Sequence, residues 1–353
     1  MIMIKLGVIF GGRSGEHEIS LMSAASVINA LDKTKFKPFF FGITKEGRWK
    51  HFEGTAAEIE SGQWEKTATE FNPGRLKELV DFVLPILHGP YGEDGTIQGM
   101  FEMLDIPYAG CGVLASAVAM DKAVAKDIFA KAGLPICKHA LSYAEDFTLD
   151  KGKADEKRLK KEAEKIEAKV PYPMFVKPAN MGSSVGITKA KDRDGLCKAL
   201  IEAAKYDRRI VIEEGLDCRE LETGVIGNHH PEAAAVGEIL PSSEFYDYRA
   251  KYFDGGQSKV CVPADIPEKI KEEVRDIAVR AYMALDCAGF SRVDFFLEKK
   301  TGRVYINEIN TIPGFTKFSM FSKLWEEAGV PYSQLIERIV DFGYERYHAK
   351  NSR

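Results

Sequence analysis

The N-terminal third of the chain alternates short apolar runs with stretches in which apolar residues recur at helical spacing. This pattern predicts strands at residues 4–10, 37–42 and 81–87, and helices at 19–31 and 96–104. Strands that alternate with helices usually form a parallel sheet covered on both faces. The first unit is therefore predicted to be an α/β unit with a parallel sheet.

The rest of the chain mixes strands with longer helices. Helical spacing at 115–132 ends at Gly133, with Pro135 just beyond, which is typical of a helix end. Residues 150–169 are rich in Lys and Glu and are interpreted as a solvated helix face. A second α/β unit and a final α+β unit are predicted. Further strands are predicted at 174–177, 210–214, 221–226, 293–297 and 304–309, and further helices at 268–285, 320–327 and 334–342.

Composition and charge exclude several classes of protein. The 353 residues are 45% apolar and 29% charged, which is ordinary for a soluble globular protein, and the net charge of −4 gives no basic surface for nucleic acid. No apolar run reaches the roughly 18 residues of a membrane span, and the apolar start, interrupted by Lys5, predicts a strand and not a signal peptide. The six cysteines form no CxxC pair, so a zinc site of that spacing is unsupported.

The first chemical motif is GGRSGEHEIS at residues 11–20, between the first strand and the first helix. Backbone N–H groups at such a turn can bind an anion. However, the glycine spacing is not GxGxxG, and two carboxylates would repel a pyrophosphate. Glu16 and Glu18 instead suit a ligand with a positively charged amine; the alternative for both is a structural role, for Glu18 that of favouring the helix dipole.

The second motif is LHGPYGEDGT at residues 87–96, again where a strand leads into a helix. A histidine and three glycines at the carboxyl edge of a sheet suit a ligand crevice. His88 could equally be a turn histidine whose hydrogen bonds are satisfied locally.

The third motif is FVKPANMGSSVG at residues 175–186. Lys177 at a strand end can neutralise phosphate charge, and the small residues that follow let backbone N–H groups approach phosphate oxygens. The motif lacks the GK[ST] of a P-loop, so that fold is disfavoured. An ordinary turn is the alternative.

The fourth motif combines SRVD at residues 291–294 with YINEINT at 305–311, joined through a turn at Gly302. This predicts an antiparallel pair in which Glu308 and Asn310 share one face. If Asp294 lies opposite, three oxygen ligands converge without His or Cys, which suits Mg²⁺ shared with phosphates. Salt-bridged surface strands are the alternative.

Together these motifs resemble the ATP-grasp superfamily and, within it, the D-alanine–D-alanine ligase family. The segments GGRSGEHEIS, LHGPYGEDG, Asp121-Lys122, FVKPANMGSSVG, EFYDYRAKY, SRVD and INEINTIPGFT occur in the family's order. The resemblance implies an α/β and α+β fold of three-domain ATP-grasp architecture, with a Rossmann-like N-terminal domain. The expected domains are 1–112 for substrate binding, 113–214 with the phosphate loop, and 215–353 with the metal site, lid and acceptor site.

The resemblance also implies an activity. The expected reaction joins two D-alanine molecules through a D-alanyl phosphate, consumes ATP, and supplies peptidoglycan synthesis. Two Mg²⁺ ions, with Mn²⁺ as a substitute, are the expected cofactors. A cytoplasmic homodimer is expected, with no nucleic-acid or membrane partner.

Residue roles are carried over by position in this sequence. Glu16 is expected to hold the ammonium of the first D-alanine, in a hydrogen-bonded trio with Ser183 and Tyr252. Arg292 and the Gly314 amide are expected to stabilise the tetrahedral oxyanion. Further substrate contacts are expected from His88, Ser319 and Met320. The expected metal ligands are Asp294, Glu308 and Asn310, and the expected ATP contacts are Lys122, Lys177, Ser184, Glu213, Glu214, Leu216, Glu220, Lys251 and Asn307.

Two features of the predicted lid at residues 244–257 bear on function. Arg249 stands where family members commonly carry Glu, which affects how the lid closes. Tyr252 resembles the type that selects an amine over D-lactate. Three alternative functions are disfavoured. The segments EFYDYRAKY and GGRSGEHEIS argue against another ATP-grasp carboxylate–amine ligase, and the intact set of Asp294, Glu308 and Asn310 argues against a nucleotide sensor without turnover. A dehydrogenase would require the missing GxGxxG.

Overall fold

The computed structural model describes residues 3–149, 153–182, 185–240 and 259–352. These residues form three sheets, which correspond to successive parts of the chain. No helix in these ranges has the length and apolar character needed to cross a lipid bilayer.

The first sheet occupies the N-terminal third. Its strands are β1 (Ile4–Gly11), β2 (Phe36–Ile43), β3 (Trp49–Phe52), β4 (Thr69–Glu70) and β5 (Phe82–Ile86), and its helices are α1 (His17–Ala30), α2 (Ala56–Glu60), α3 (Leu76–Leu79) and α4 (Thr96–Met103). As predicted, β1 pairs in parallel with β2 and with β5. The sequence pattern did not predict β3 and β4, which add antiparallel pairs and make the sheet mixed. β3 has only four residues, two of them polar, and β4 has two exposed residues, so neither produces an apolar run.

The second sheet corrects the prediction of a second α/β unit. Its elements are the strands β6 (His139–Tyr143), β7 (Met174–Pro178), β8 (Thr188–Ala190) and β9 (Arg209–Glu214), with helices α7 (Ala144–Phe147), α8 (Glu156–Glu167) and α9 (Arg193–Ala203). All its pairs are antiparallel, in the order β6-β9-β7-β8. Helix α8 carries the Lys- and Glu-rich sequence on its exposed side and buries Leu159, Ala163 and Ile166.

Two helices precede this sheet where one was predicted. Helix α5 (Val113–Met120) stops at Asp121, and α6 (Lys122–Lys131) starts immediately after it. The Asp121 carboxylate accepts hydrogen bonds from the N–H groups of Ala123 and Val124, at 3.1 and 3.0 Å. An N-terminal cap of this kind marks the start of a new helix.

The third sheet has the order β12-β11-β10-β13-β14 and is antiparallel. Its elements are β10 (Cys218–Gly227), β11 (Glu232–Leu240), β12 (Lys259–Cys261), β13 (Gly289–Glu298), β14 (Val304–Asn310), α10 (Glu268–Ala284), α11 (Met320–Glu327) and α12 (Tyr332–Asn351). The predicted β13–β14 pair is confirmed, with Asp294 opposite Glu308 and Arg292 opposite Asn310. The register shifts after Asp294, so that Asn307 is the extra residue of a β-bulge.

One apolar core joins the two ends of the chain. It contains Leu6, Phe10 and Phe82 from the first sheet together with Leu335 and Ile339 from α12. A second core packs α5, α6 and α10 on the third sheet, and a third core lies under the helices of the second sheet. The domain boundaries at residues 112 and 214 stay a prediction.

Candidate functional site

A cavity of about 860 Å³ is lined by residues of the second and third sheets and by residues that follow two strands of the first sheet. It collects side chains from the four motifs, although these motifs lie far apart in the sequence. The predicted site residues that line it are Glu16, His88, Lys122, Lys177, Glu213, Glu214, Leu216, Glu220, Arg292, Asp294, Asn307, Glu308, Asn310 and Gly314.

Six predicted site residues do not appear in this lining. Ser183, Ser184, Lys251 and Tyr252, and with them Arg249 and the predicted lid, lie outside the described residues. Ser319 precedes α11, where its hydroxyl accepts a 3.0 Å hydrogen bond from the Thr316 N–H. Met320 is buried in the apolar core, so the expected acceptor contacts of both residues stay a prediction.

The oxygen-bearing side chains of β13 and β14 converge at one side of the cavity. Arg292 donates two hydrogen bonds to Asp294, from Nε at 2.7 Å and from a terminal nitrogen at 2.8 Å. Asn310 Nδ2 donates to Asp294 Oδ2 at 2.9 Å. Lys122 Nζ lies 3.3 Å from Glu308 Oε2. Arg292 and Lys122 therefore compensate two neighbouring carboxylates.

This set of donors fits Mg²⁺ shared with phosphate oxygens. No three His, Cys, Asp or Glu side chains converge on a metal position anywhere in the described ranges. Two carboxylates and one amide are a partial shell, however, and Mg²⁺ is commonly held by one or two carboxylates plus substrate phosphates. Turning the Asn310 amide would present Oδ1, a metal-ligating oxygen, in place of Nδ2, and the side chains of Asp294 and Glu308 are 14% and 28% exposed.

The cavity lining also includes a buried carboxylate that lies between two lysines. Glu213 Oε2 lies 2.9 Å from Lys177 Nζ, and Glu213 Oε1 lies 3.1 Å from Lys126 Nζ. Burial alone would raise the pKa of Glu213, but attraction to Lys126 and Lys177 outweighs it and lowers this pKa to about 2. The cluster carries a net positive charge, which suits an anionic ligand. Lys126 was not predicted, although it lies on the same face of α6 as Lys122, four residues earlier.

Lys122 is held at the start of α6 by the contacts of its neighbour Asp121. The Asp121 carboxylate is paired with Arg209 and accepts a 3.2 Å hydrogen bond from Asn180 Nδ2. These contacts tie α6 to β9 and to the residues that follow β7. Lys122 Nζ donates to the Met181 carbonyl at 2.9 Å, next to the glycine–serine loop.

The two N-terminal motifs also meet at the cavity. Ser14 Oγ donates to the His88 carbonyl at 2.6 Å. Gly89 has φ of +71°, which favours glycine, and a Cβ there would lie 2.6 Å from Glu16 Oε2, which would have to move. The His88 ring nitrogens lie 2.9 Å from the Ile312 carbonyl and 3.1 Å from Ser23 Oγ. These contacts join the GGRSGEHEIS turn to the loop after β14.

Comparison with known proteins identifies the family of this chain. A family model described as the D-ala D-ala ligase N-terminus matches residues 5–111, and one described as the D-ala D-ala ligase C-terminus matches residues 128–341. The chain belongs to the D-alanine–D-alanine ligase family. Curated relatives of that name share 48% identity in Thermoanaerobacter sp. (strain X514), covering 98% of each chain, and 47% in Ruminiclostridium cellulolyticum, covering 97% of this chain and 96% of the relative.

Solved structures of this ligase family have the same fold. The D-Ala:D-Ser ligase VanG from Enterococcus faecalis matches with a TM-score of 0.86 at 34% identity, over 97% of this chain and 100% of that one. The D-alanine–D-alanine ligase from Coxiella burnetii matches with a TM-score of 0.84 at 30% identity, over 99% and 96%. The predicted ATP-grasp fold is therefore confirmed.

One acidic residue of the cavity, Glu93, was not among the predicted site residues. Glu93 lies within the LHGPYGEDGT motif and lines the cavity, and its Oε1 accepts a 3.2 Å hydrogen bond from the Gly89 N–H. Burial, aided by the nearby charge of Glu16, raises the pKa of Glu93 to about 8. Glu93 is thus mostly protonated at neutral pH. The sequence around Glu93 does not indicate this, because the rise in the Glu93 pKa depends on burial.

Proposed function

We propose that this chain ligates two D-alanine molecules to D-alanyl-D-alanine, converts ATP to ADP and phosphate, and so supplies peptidoglycan precursor synthesis. Family membership supports the reaction. The observation that carries the assignment is that Arg292, Asp294 and Glu308 share one cavity with Lys177 and Glu16. A carboxylate–amine ligase needs these groups together, because it must bind a polyphosphate, a carboxylate and an ammonium at once.

The first step activates a carboxylate. A carboxylate does not react with an amine, since oxide is too poor a leaving group. Transfer of the γ-phosphoryl group to a carboxylate oxygen of the first D-alanine releases ADP and gives an acyl phosphate. Bringing two anions together requires cations, a role we assign to Lys122, Lys177 and Lys251. An opposite charge at about 4 Å contributes ~1 kcal/mol in water and ~4 kcal/mol at an effective dielectric constant of about 20.

Asp294, Glu308 and Asn310 would hold Mg²⁺. Mg²⁺ would neutralise charge on the phosphoryl oxygens. The chain itself contributes the neighbouring cations Arg292 and Lys122, each within ion-pair distance of one of these carboxylates.

The second step forms the peptide bond. Glu16 holds the ammonium of the first D-alanine, so that its activated carbonyl carbon faces the second amine. The second amine, having given one proton to solvent, attacks that carbon, and the oxygen of the resulting tetrahedral species becomes negative; the nitrogen gives a further proton to solvent as the amide forms. Arg292 and the Gly314 N–H stabilise this oxyanion; breakage of the C–O bond then releases phosphate. The predicted lid would exclude water, which would otherwise hydrolyse the acyl phosphate.

Phosphate release tests the assignment. The protein is incubated with Mg-ATP and D-alanine, beside L-alanine, D-lactate and D-serine, the last because a structural relative is named as a D-Ala:D-Ser ligase. We expect phosphate release with D-alanine alone, and D-alanyl-D-alanine as the product by mass spectrometry. Release with L-alanine, or release without dipeptide, would contradict the proposal. Release only when D-serine is added would identify the alternative acceptor.

We further propose that the enzyme acts in the cytoplasm as a homodimer and uses Mn²⁺ in place of Mg²⁺. The resemblance to the ligase family supports all three. Multi-angle light scattering and the same phosphate assay with MnCl₂ test the dimer and the metal. A monomeric mass would contradict the dimer.

A further inference from the structure

Three carboxylates lie in a row across the third sheet. Glu222 on β10 is opposite Asp294 on β13, which is opposite Glu308 on β14. Directly opposed residues of antiparallel strands have Cβ atoms roughly 5 Å apart. Asp294 and Glu308 are assigned to the metal above, whereas Glu222 has no role in the mechanism so far.

Arg292 lies between two of these carboxylates. Its Nε donates to Asp294 Oδ1 at 2.7 Å, and the same Nε lies 2.9 Å from Glu222 Oε2. The side chains of Arg292 and Glu222 are only 6% and 5% exposed. A buried guanidinium requires a carboxylate partner, because an uncompensated buried charge costs several kcal/mol.

Asp294 cannot bind the metal ion and keep both of its hydrogen bonds to Arg292. Its two oxygens accept both hydrogen bonds from Arg292 in this arrangement. A metal ion that binds Asp294 withdraws at least one oxygen from the guanidinium, and the two cations then repel each other. The reaction nevertheless requires Arg292 to stay in place, because it must meet the oxyanion in the second step.

We propose that Glu222 is a positioning residue that retains the Arg292 guanidinium when Asp294 binds the metal. This inference rests on the proposed function and deepens it. The Glu222 oxygen is already within ion-pair distance of Nε. The Nε–H group can therefore exchange Asp294 for Glu222 as its hydrogen-bond acceptor with little movement. Glu222 thereby frees Asp294 for the metal and keeps Arg292 directed at the reacting carbonyl.

The burial of the three carboxylates argues against Glu222 as a third metal ligand. The exposed fraction of the side chain rises along the row, from 5% for Glu222 to 14% for Asp294 and 28% for Glu308. The open end of the row is therefore at Glu308, where phosphate oxygens can reach it. Glu222 is at the closed end, beside the guanidinium.

Metal binding without turnover tests the proposal. Mn²⁺ is titrated into the ADP complex of the full-length protein, in the absence of D-alanine, and free Mn²⁺ is followed by electron paramagnetic resonance. Glu222→Gln should weaken Mn²⁺ binding about tenfold, the usual effect of removing a group that orients a ligand. In an Arg292→Met background the same change should alter Mn²⁺ affinity by less than about twofold, because Glu222 would act only through Arg292.

Glu238→Gln is the matched control. Glu238 also lines the cavity, is 5% exposed as a residue, and pairs with a different arginine, Arg219, through two 2.6 Å hydrogen bonds. It therefore measures the general effect of removing one negative charge, which we expect to be about twofold or less. Equal weakening by Glu222→Gln in both backgrounds, or equal effects of Glu222→Gln and Glu238→Gln, would overturn the proposal. If Arg292→Met does not fold by circular dichroism, Arg292→Lys replaces it, since lysine has no Nε–H in that position.

Steady-state kinetics give a second reading. At Mg²⁺ concentrations that saturate the variant, Glu222→Gln should lower kcat about 10- to 100-fold while the KM for ATP stays within about twofold, since the positioning group then affects the reacting geometry and not nucleotide binding. Glu222→Asp keeps the charge but shortens the side chain, and it should resemble Glu222→Gln. Wild-type kcat in Glu222→Asp would show that only the charge matters and would refute positioning. Wild-type protein that binds Mn²⁺ and ADP but forms no dipeptide would refute the proposed function alone.

Discussion

Replacement of Glu213 by Gln should destabilise the protein in a manner that depends on pH. The carboxylate lies about 3 Å from both Lys126 and Lys177 and is 2% exposed. The amide would leave two buried ammonium groups with one neutral partner. Removal of one member of a buried ion pair typically costs 3–5 kcal/mol.

The pKa of Glu213 gives an independent magnitude. It is lowered from 4.5 to about 2. Since one pKa unit corresponds to about 1.4 kcal/mol, the charged carboxylate contributes roughly 3 kcal/mol at neutral pH. Because the folded-state pKa is the lower one, this stability is present above pH 4.5 and is lost as the pH falls towards 2. The difference between wild type and Glu213→Gln should therefore be about 3 kcal/mol at pH 7 and roughly half of that at pH 3.

Urea unfolding followed by far-ultraviolet circular dichroism at pH 7, 5, 4 and 3 measures this difference, provided that the m values agree. Glu162→Gln is the control. Glu162 is also buried in the second unit, but its partners are Ser142 and the exposed Lys165, so about 1 kcal/mol is expected at pH 7. A loss from Glu213→Gln no larger than that of the control, or equal losses at pH 3 and pH 7, would refute the reasoning.

Three further predictions concern the site and the packing around it. Arg292→Ala should lower kcat by about 10²- to 10³-fold and leave ATP affinity by isothermal titration calorimetry unchanged; weak ATP binding with normal turnover would contradict the role of Arg292. Asp121→Ala removes the cap of α6 and should lower the free energy of unfolding by about 1–2 kcal/mol in thermal unfolding. It should also raise the KM for ATP, because Lys122 begins that helix. An unchanged KM would contradict this second expectation. Gly343→Ala would place a Cβ 2.4 Å from the Phe82 ring and 2.7 Å from the Tyr108 carbonyl, and should cost about 1–3 kcal/mol in urea unfolding. Its control, Gly99→Ala on a helix with open space around it, should be neutral or slightly stabilising.

The parts of the site that are local in sequence could be predicted from it. Alternation of side chains along a strand fixes which residues share a face. The prediction that Glu308 and Asn310 lie on the same face of β14 followed directly from it. Gly302 indicated a tight turn between β13 and β14, and a tight turn joins antiparallel strands. The register that sets Asp294 opposite Glu308 was then confirmed by the structure.

The remaining parts depend on contacts that no local pattern contains. Strand direction in the second sheet is set by which strands pair, and apolar spacing does not report this. The break at Asp121 lies within an alanine-rich stretch of continuous helical spacing, and the carboxylate acts as a cap there while it contacts Arg209 and Asn180. Lys126 and Glu222 look like ordinary surface charges in the sequence. Their burial, and thus their relevance to the site, appears only when distant strands and helices come together.

The core shared by the first sheet and α12 also constrains how the protein is made. Phe82 of β5 packs against Tyr344 at 4.7 Å between ring centroids, and Lys35 forms a 2.7 Å ion pair with Glu337. Helix α1 covers part of this face early in synthesis, but the part around Phe82 that α12 covers stays exposed until residues 332–351 have left the ribosome. A nascent chain that stalls before α12 would therefore expose apolar side chains of a sheet that was synthesised early, and such surfaces are what chaperones bind.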